Sequence, residues 1–206
     1  NAGWAFMLVC NSGESTGSGC CGSHVTDSIG FFMGEAPPGV TAGTECASMP
    51  SSTSGVTRNV WSHVAVAVST SSNTVSFYIN GATAGVSSGS TVVIANGGGS
   101  GTYSLGSWSM CDTAGSPCSE YTGLMDHVLV WDKAMSSNDA SSAHQSQGKP
   151  SLTPSAGWGN QASNLKARYV TAAPAMHVAH DAAFAPTTGT MTFEAWIKPA
   201  LGSTGQ

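Results

Sequence analysis

Apolar and polar residues alternate with a period of two over much of this chain, the signature of strands half-buried in a sheet. In WSHVAVAV (residues 61–68), Val64, Val66 and Val68 share one face, while Trp61, His63, Ala65 and Ala67 share the other. NTVSFYINGATAG follows, alternating through Val75, Phe77 and Ile79 up to Asn80-Gly81. Both of those residues tolerate positive φ, so the pair predicts a tight hairpin. GWAFMLVC (3–10), SIGFFMGEA (28–36), GTYSLGSW (101–108) and GLMDHVLVWD (123–132) predict further strands. Within the last, Val128 and Val130 face one way and Leu129 and Trp131 the other. Near the end, GTMTFEAWIKP (189–199) sets Met191, Phe193, Ala195 and Ile197 on one face and Thr192, Glu194 and Trp196 on the other. A short polar stretch, SSNDASSAHQ (136–145), predicts a helix with Ser136 or Ser137 as its N-cap. Many strands joined by Gly-rich turns predict an all-β, two-sheet antiparallel sandwich of the jelly-roll kind. Residues 148–165, GKPSLTPSAGWGNQASNL, carry Pro, Gly, Ser and Asn without apolar periodicity and read as a linker.

Composition narrows the setting. The 206 residues suit one domain, or one domain with a fragment of another. Charged residues make up 8%, against roughly 25% in an average soluble domain, so hydroxyls, amides and backbone must cover the surface. With 40% hydrophobic residues and a net charge of −5 the chain can bury a core and is not compositionally disordered. Six Lys and Arg together offer no basic patch for nucleic acid. No apolar run approaches the ~18–20 residues that span a bilayer. A basic-then-apolar leader, if the protein has one, lies outside this stretch of chain. The six cysteines are Cys10, Cys20, Cys21, Cys46, Cys111 and Cys118. An even count in a Ser/Thr/Gly-rich chain points to disulfides and an extracellular setting. Cys111–Cys118 is the expected local pair, whereas Cys20 and Cys21 reach Cys10 and Cys46 in an order the spacing leaves open. A zinc alternative at CCGSH, using His24, lacks a second close ligand pair.

Three segments carry a family resemblance. NVWSHVAVAVSTSSNTVSFYINGATAG (59–85) resembles the central hairpin of laminin-G-like, concanavalin A-like jelly-roll domains. YTGLMDHVLVWDKAMSS (121–137) resembles a late strand and small helix of that family. FEAWIKP (193–199) resembles an early strand, normally preceded by an edge strand such as ARYVTAAPAMHV (167–178). The order is cyclically displaced, with the early strands at the C-terminus. Residues 1–147 therefore read as a jelly roll lacking its first strands, and residues 166–206 as strands that complete one. The tail could close its own sheet, begin the next repeat of an array, or enter a neighbouring subunit as a donated strand. A linker of that length spans roughly 60 Å when extended, so all three are within reach; connection between domains is the preferred expectation. Met191, Phe193, Ala195, Trp196 and Ile197 form the expected assembly strand. Leu129 stands where the family often has a charge, which suggests a second buried surface, supplied by a neighbouring domain or by the chain after Asp132.

The chemistry of catalysis is absent from the sequence pattern. Glucanases of this fold need two carboxylates on one strand face, yet Glu14, Glu35, Glu45, Glu120 and Glu194 stand isolated along the chain. No G-x-S-x-G elbow, P-loop or dinucleotide fingerprint occurs, and NGGGSG (96–101) reads as a turn. His63 and His127 lie mid-strand, where packing is the expected role. His177 and His180 fall on opposite strand faces, a poor metal geometry. No cofactor is expected. Asp112, Glu120 and Asp126 are the calcium candidates, but they are not clustered as that ion requires; the resemblance implies for Asp126 a structural bond to backbone at the strand's start. Sugar binding, the family's commonest small-ligand role, would use Trp4, Trp108 or Trp158, the last equally suited to docking between domains. SMPSSTSGVT and SLTPSAG are compositional candidates for O-linked sugars. The expectation is a non-enzymatic extracellular structural or adhesive module whose partners are copies of itself or adjacent repeats, with a carbohydrate-binding module as the alternative.

Overall fold

The computed structural model describes residues 4–9, 25, 27–33, 50–88, 102–105, 121, 123–147, 168–170, 176–179 and 189–200. Eleven strands and one helix lie among them: β1 (Trp4–Val9), β2 (Ser28–Met33), β3 (Ser51–Gly55), β4 (Ser62–Ser69), β5 (Thr74–Ile79), β6 (Ala82–Ser88), β7 (Thr102–Leu105), β8 (Gly123–Trp131), α1 (Ser137–Gln147), β9 (Arg168–Val170), β10 (Met176–Ala179) and β11 (Thr190–Pro199). Every pairing is antiparallel. A six-stranded sheet has the order β6-β5-β4-β11-β8-β9, a three-stranded sheet the order β1-β2-β3, and β10 pairs with β7.

The two larger sheets face each other across one apolar core. Val64, Val66 and Val68 of β4, Val75 and Phe77 of β5, Val128 of β8 and Met191, Phe193, Ala195 and Ile197 of β11 meet Ile29 and Phe31 of β2. The rings of Phe6 and Phe193 cross from sheet to sheet with centroids 4.6 Å apart, within the range of a favourable aromatic pair. The alternation read from the sequence in β4, β5, β8 and β11 is therefore the alternation between core and outer face.

Between β5 and β6 the turn has φ of 52° at Asn80 and 77° at Gly81, the geometry that Asn-Gly favours. Its backbone also docks the helix: a Cβ at Gly81 would stand 3.0 Å from Ser141 Cα. The six-stranded sheet is thus covered on its outer face by α1 and the segment leading into it, which pack Ala140 and Met135 onto Ala65, Ala67 and Tyr78.

β3 is a strand that the hydrophobic pattern did not predict. Its sequence, SSTSG, has no apolar residue to alternate. Hydrogen bonds take that place: Ile29 N–H donates to Ser52 Oγ (2.8 Å), Ser52 Oγ donates to the Ser54 carbonyl (2.6 Å), and Thr53 Oγ1 donates to the Ala84 carbonyl (2.9 Å). Part of SMPSSTSGVT is therefore a strand of the sandwich. Next to it, the Arg58 guanidinium grips the Asp27 carboxylate with a shortest contact of 2.6 Å, both side chains nearly buried.

Candidate functional site

β11 is the element from which a site can be built. It lies between β4 and β8, and eight of its ten residues are buried. A strand covered on both faces and paired on both edges carries more of the fold than an edge strand. Its register sets Phe193 opposite Val66 on one side and opposite Val130 on the other.

Both ends of the strand are held by the loops they pass. Thr70 donates through its backbone N–H (2.9 Å) and its Oγ1 (2.7 Å) to the Gly189 carbonyl. At the far end Asn59 N–H donates to the Pro199 carbonyl (2.7 Å), and Arg58 Nη1 donates to the Ala200 carbonyl (3.2 Å). Thr192 joins the strand to the segment leading into α1: its Oγ1 donates to the Lys133 carbonyl (2.7 Å) and accepts from Met135 N–H (2.9 Å).

The outer face of β11 carries a polar cluster beneath the C-terminal half of α1. Gln147 Nε2 donates to Glu194 Oε1 (2.8 Å), and Trp196 Nε1 donates to Gln147 Oε1 (3.1 Å). One amide thus joins residues two apart on the same strand face. The His144 ring stacks on Trp196 with centroids 5.4 Å apart, and His63 of β4 approaches Trp196 at 5.5 Å. His63 Nε2 lies 3.5 Å from Glu194 Oε2, with both side chains fully buried. Among the described residues, neither ring nitrogen of His63 nor Glu194 Oε2 has a hydrogen-bond partner. A buried polar pair of this kind makes strict demands on geometry, because each group has exchanged water for a single neighbour.

Sequence reasoning placed Glu194 and His63 on outward strand faces but left Glu194 isolated and gave His63 no partner. The missing information was register. His63 pairs across from Trp196, and the helix adds His144 and Gln147, three residues apart and so on one face. The signal within the sequence was a polar residue on the outer face of each of two apolar strands, followed by a helix polar enough to meet them.

Of the predicted site residues, Met191, Phe193, Ala195 and Ile197 lie in the sandwich core, and Trp196 lies under the helix. They form one continuous strand, in the chain's own sheet. Asp126 accepts a hydrogen bond from His127 N–H (2.8 Å), with His127 Nδ1 at 3.3 Å from the same oxygen. The resemblance implies a bond from this residue to backbone at the strand's start; the bond observed is to the adjacent residue, within β8. It sits at a bulge, where the β8–β11 register shifts between Glu194 and Trp196 and His127 takes a φ of 48°. Leu129 is half-buried, and Trp131 beside it remains 39% exposed. The six cysteines, Trp108, Trp158, Asp112, Glu120 and the linker 148–165 lie outside the described residues, as does the side chain of Trp4. Among the described residues, no three His, Cys, Asp or Glu side chains are placed to hold a metal, and no helix is long and apolar enough to cross a membrane.

The cluster is sealed. A general acid or base must come within hydrogen-bond reach of its substrate, and Glu194 and His63 have no exposed surface in this conformation. What the arrangement does is hold β11 against β4 and α1 through its polar face, as the core holds it through its apolar face.

No curated protein matches the chain, and no solved structure matches it. A laminin G model of the concanavalin A-like lectin/glucanases superfamily matches residues 28–141, more than half of the sequence, and the chain belongs to that superfamily.

Proposed function

We propose that this protein is a non-enzymatic adhesive or structural module of the extracellular space, a subunit or repeat of an array whose members are joined through their C-terminal strands. Its superfamily supports a carbohydrate-binding or adhesive kind of module, generally lectin-like rather than enzymatic. The observation that carries the reading is the place of β11. A central strand of the larger sheet comes from residues 190–199, more than forty positions after α1 ends. Among the described residues, β11 is hydrogen-bonded to β4, β8, Thr70, Asn59, Met135 and Gln147, which lie between residues 59 and 147. A β11 arriving from a second copy meets the same partners in the same register, which is the condition for exchanging an element between protomers at low cost.

The experiment mixes two full-length populations carrying different fluorophores on residues 187 and 71, beside the start of β11 and beside Thr70. The expected result is energy transfer between copies, growing with concentration and accompanied by species larger than the monomer in light scattering. A monodisperse monomer at every concentration, without transfer between copies, overturns the reading.

A carbohydrate-binding module is the second reading, favoured by membership of a lectin-containing superfamily. It predicts saccharide binding lost on replacing Trp4, Trp108 or Trp158; a negative result over a broad glycan panel argues against it.

A further inference from the structure

We infer that α1 is a reader of the C-terminal strand: Gln147 and His144 admit between β4 and β8 a strand that carries Glu and Trp two residues apart on its outer face. The identity of the donor, a second copy of this chain or an adjacent repeat, rests on the assembly reading above. The reader itself rests on the cluster.

The core face of β11 selects weakly. Met191, Phe193, Ala195 and Ile197 fill space against valines and phenylalanines, and cores accept other apolar residues of similar volume with modest loss. Alternating apolar strands are common in this chain, so apolar complementarity alone would admit the wrong one. The outer face selects strongly. Gln147 presents one donor and one acceptor, and it meets the Glu194 carboxylate at 2.8 Å and the Trp196 indole N–H at 3.1 Å. A strand lacking either group loses one of its two hydrogen bonds with half-buried Gln147, and a site built on hydrogen bonds disfavours an analogue that cannot make them.

The rings add shape. His63, His144 and Trp196 form a triangle of centroids 5.4 to 5.9 Å apart, so the indole fills a slot with one wall on β4 and one on α1. A one-residue slip of β11 would turn Phe193 and Ala195 towards this slot and Glu194 towards the core, because side chains alternate strictly between faces. The cluster therefore reads register as well as identity. The helix is fixed for the task at its other end, where Ser136 and Asp139 cap it reciprocally and Tyr78 Oη donates to the Met135 carbonyl at 3.0 Å.

Two measurements on the full chain test this. The first is amide hydrogen exchange in Gln147→Ala, with Gln145→Ala as control, since Gln145 is exposed on the same helix. Loss of the Gln147–Glu194 hydrogen bond should speed exchange of the β11 amides several-fold. The amides of β5 and β6 should keep their wild-type rates, as should the whole of Gln145→Ala. Glu194→Gln, which retains an acceptor oxygen for Gln147, should stay near the wild type. Unchanged β11 exchange in Gln147→Ala, or equal acceleration in every strand, overturns the reader. The second measurement adds the mixed, labelled chains described above, with donors that are wild type or doubly substituted Glu194→Leu and Trp196→Leu. Wild-type receptors should take up the wild-type strand at least tenfold more often; equal uptake overturns the inference. If no chain shares its strand with another, the assembly reading fails and the exchange result alone decides the reader.

Discussion

Tyr78 and Tyr121 are phenols held away from water. Tyr78 is 5% exposed and donates to the Met135 carbonyl at 3.0 Å; Tyr121 donates to the Leu124 carbonyl at 2.9 Å. Burial disfavours the phenolate, so both pKa values are raised above the ordinary tyrosine range, opposed at Tyr121 by a backbone hydrogen bond with Lys198 and at Tyr78 by a side-chain hydrogen bond with Ser76. In the unfolded chain both ionise near pH ~10. Their contribution to stability is therefore full below that pH and is lost as the pH rises from there towards the folded values. The denaturant midpoint should hold steady from neutral pH to about 9 and fall beyond ~10. In a Tyr78→Phe, Tyr121→Phe variant that alkaline fall should be shallower, whatever its stability at pH 7. An equally steep fall in the variant would assign it to other groups. At this scale the sequence was a partial guide. Tyr78 stands on the outward face of a predicted strand, but its burial comes from a helix sixty residues on, which no local pattern announces.

At the scale of elements, helix α1 shows what short-range chemistry can decide. Ser136 Oγ accepts from Asp139 N–H (3.2 Å), and Asp139 Oδ2 accepts from Ser136 N–H (2.9 Å) and from its hydroxyl (2.8 Å). This is a reciprocal cap, with a carboxylate at the positive end of the helix. Of the two predicted caps the structure uses Ser136. The backbone and side-chain hydrogen bonds from Ser136, helped by Lys133, hold the Asp139 carboxyl below its usual range. A depressed value means that the cap contributes above the ordinary carboxylate range, near pH ~4, and is lost as the pH falls through the folded value. Amide chemical shifts of residues 137–140 should therefore move towards coil on acidification, before the sheets unfold. Ser136→Ala should cost about 1 kcal/mol and move the same shifts at pH 7; an acid transition of residues 137–140 coincident with global unfolding would count against a separately titrating cap. Elements with strong local signals were legible: the alternation of β4, β5, β8 and β11 and the Asn-Gly turn. β3 was not, since serines can close a sheet by hydrogen bonding without any apolar residue to mark them. The order of strands within the sheets was not legible. Sequence alternation says that a strand has a buried face and is silent on which neighbours it meets.

The whole molecule depends on a strand supplied last. Met191, Phe193, Trp196 and Ile197 are each no more than 5% exposed, and burying side chains of that size contributes roughly 1.5–3 kcal/mol apiece. Together those four rival the ~5–15 kcal/mol that stabilises an entire domain. Removing β11 also strips β4 and β8 of one partner each and uncovers the valines that faced it. Two open edges beside an apolar face are a template for pairing with other chains. A chain ending at Pro186 should therefore fail to give a cooperative unfolding transition and should associate into large, β-rich particles. Supplying residues 187–201 as a separate peptide during refolding should restore the transition, because the partners of β11 all lie on the truncated chain. A peptide with Glu194→Leu and Trp196→Leu keeps the core face intact and should restore it less well at equal concentration. Cooperative, monomeric unfolding of the truncated chain alone would show that the sandwich closes without its central strand. That outcome would remove the physical reason for any copy to seek one from a neighbour.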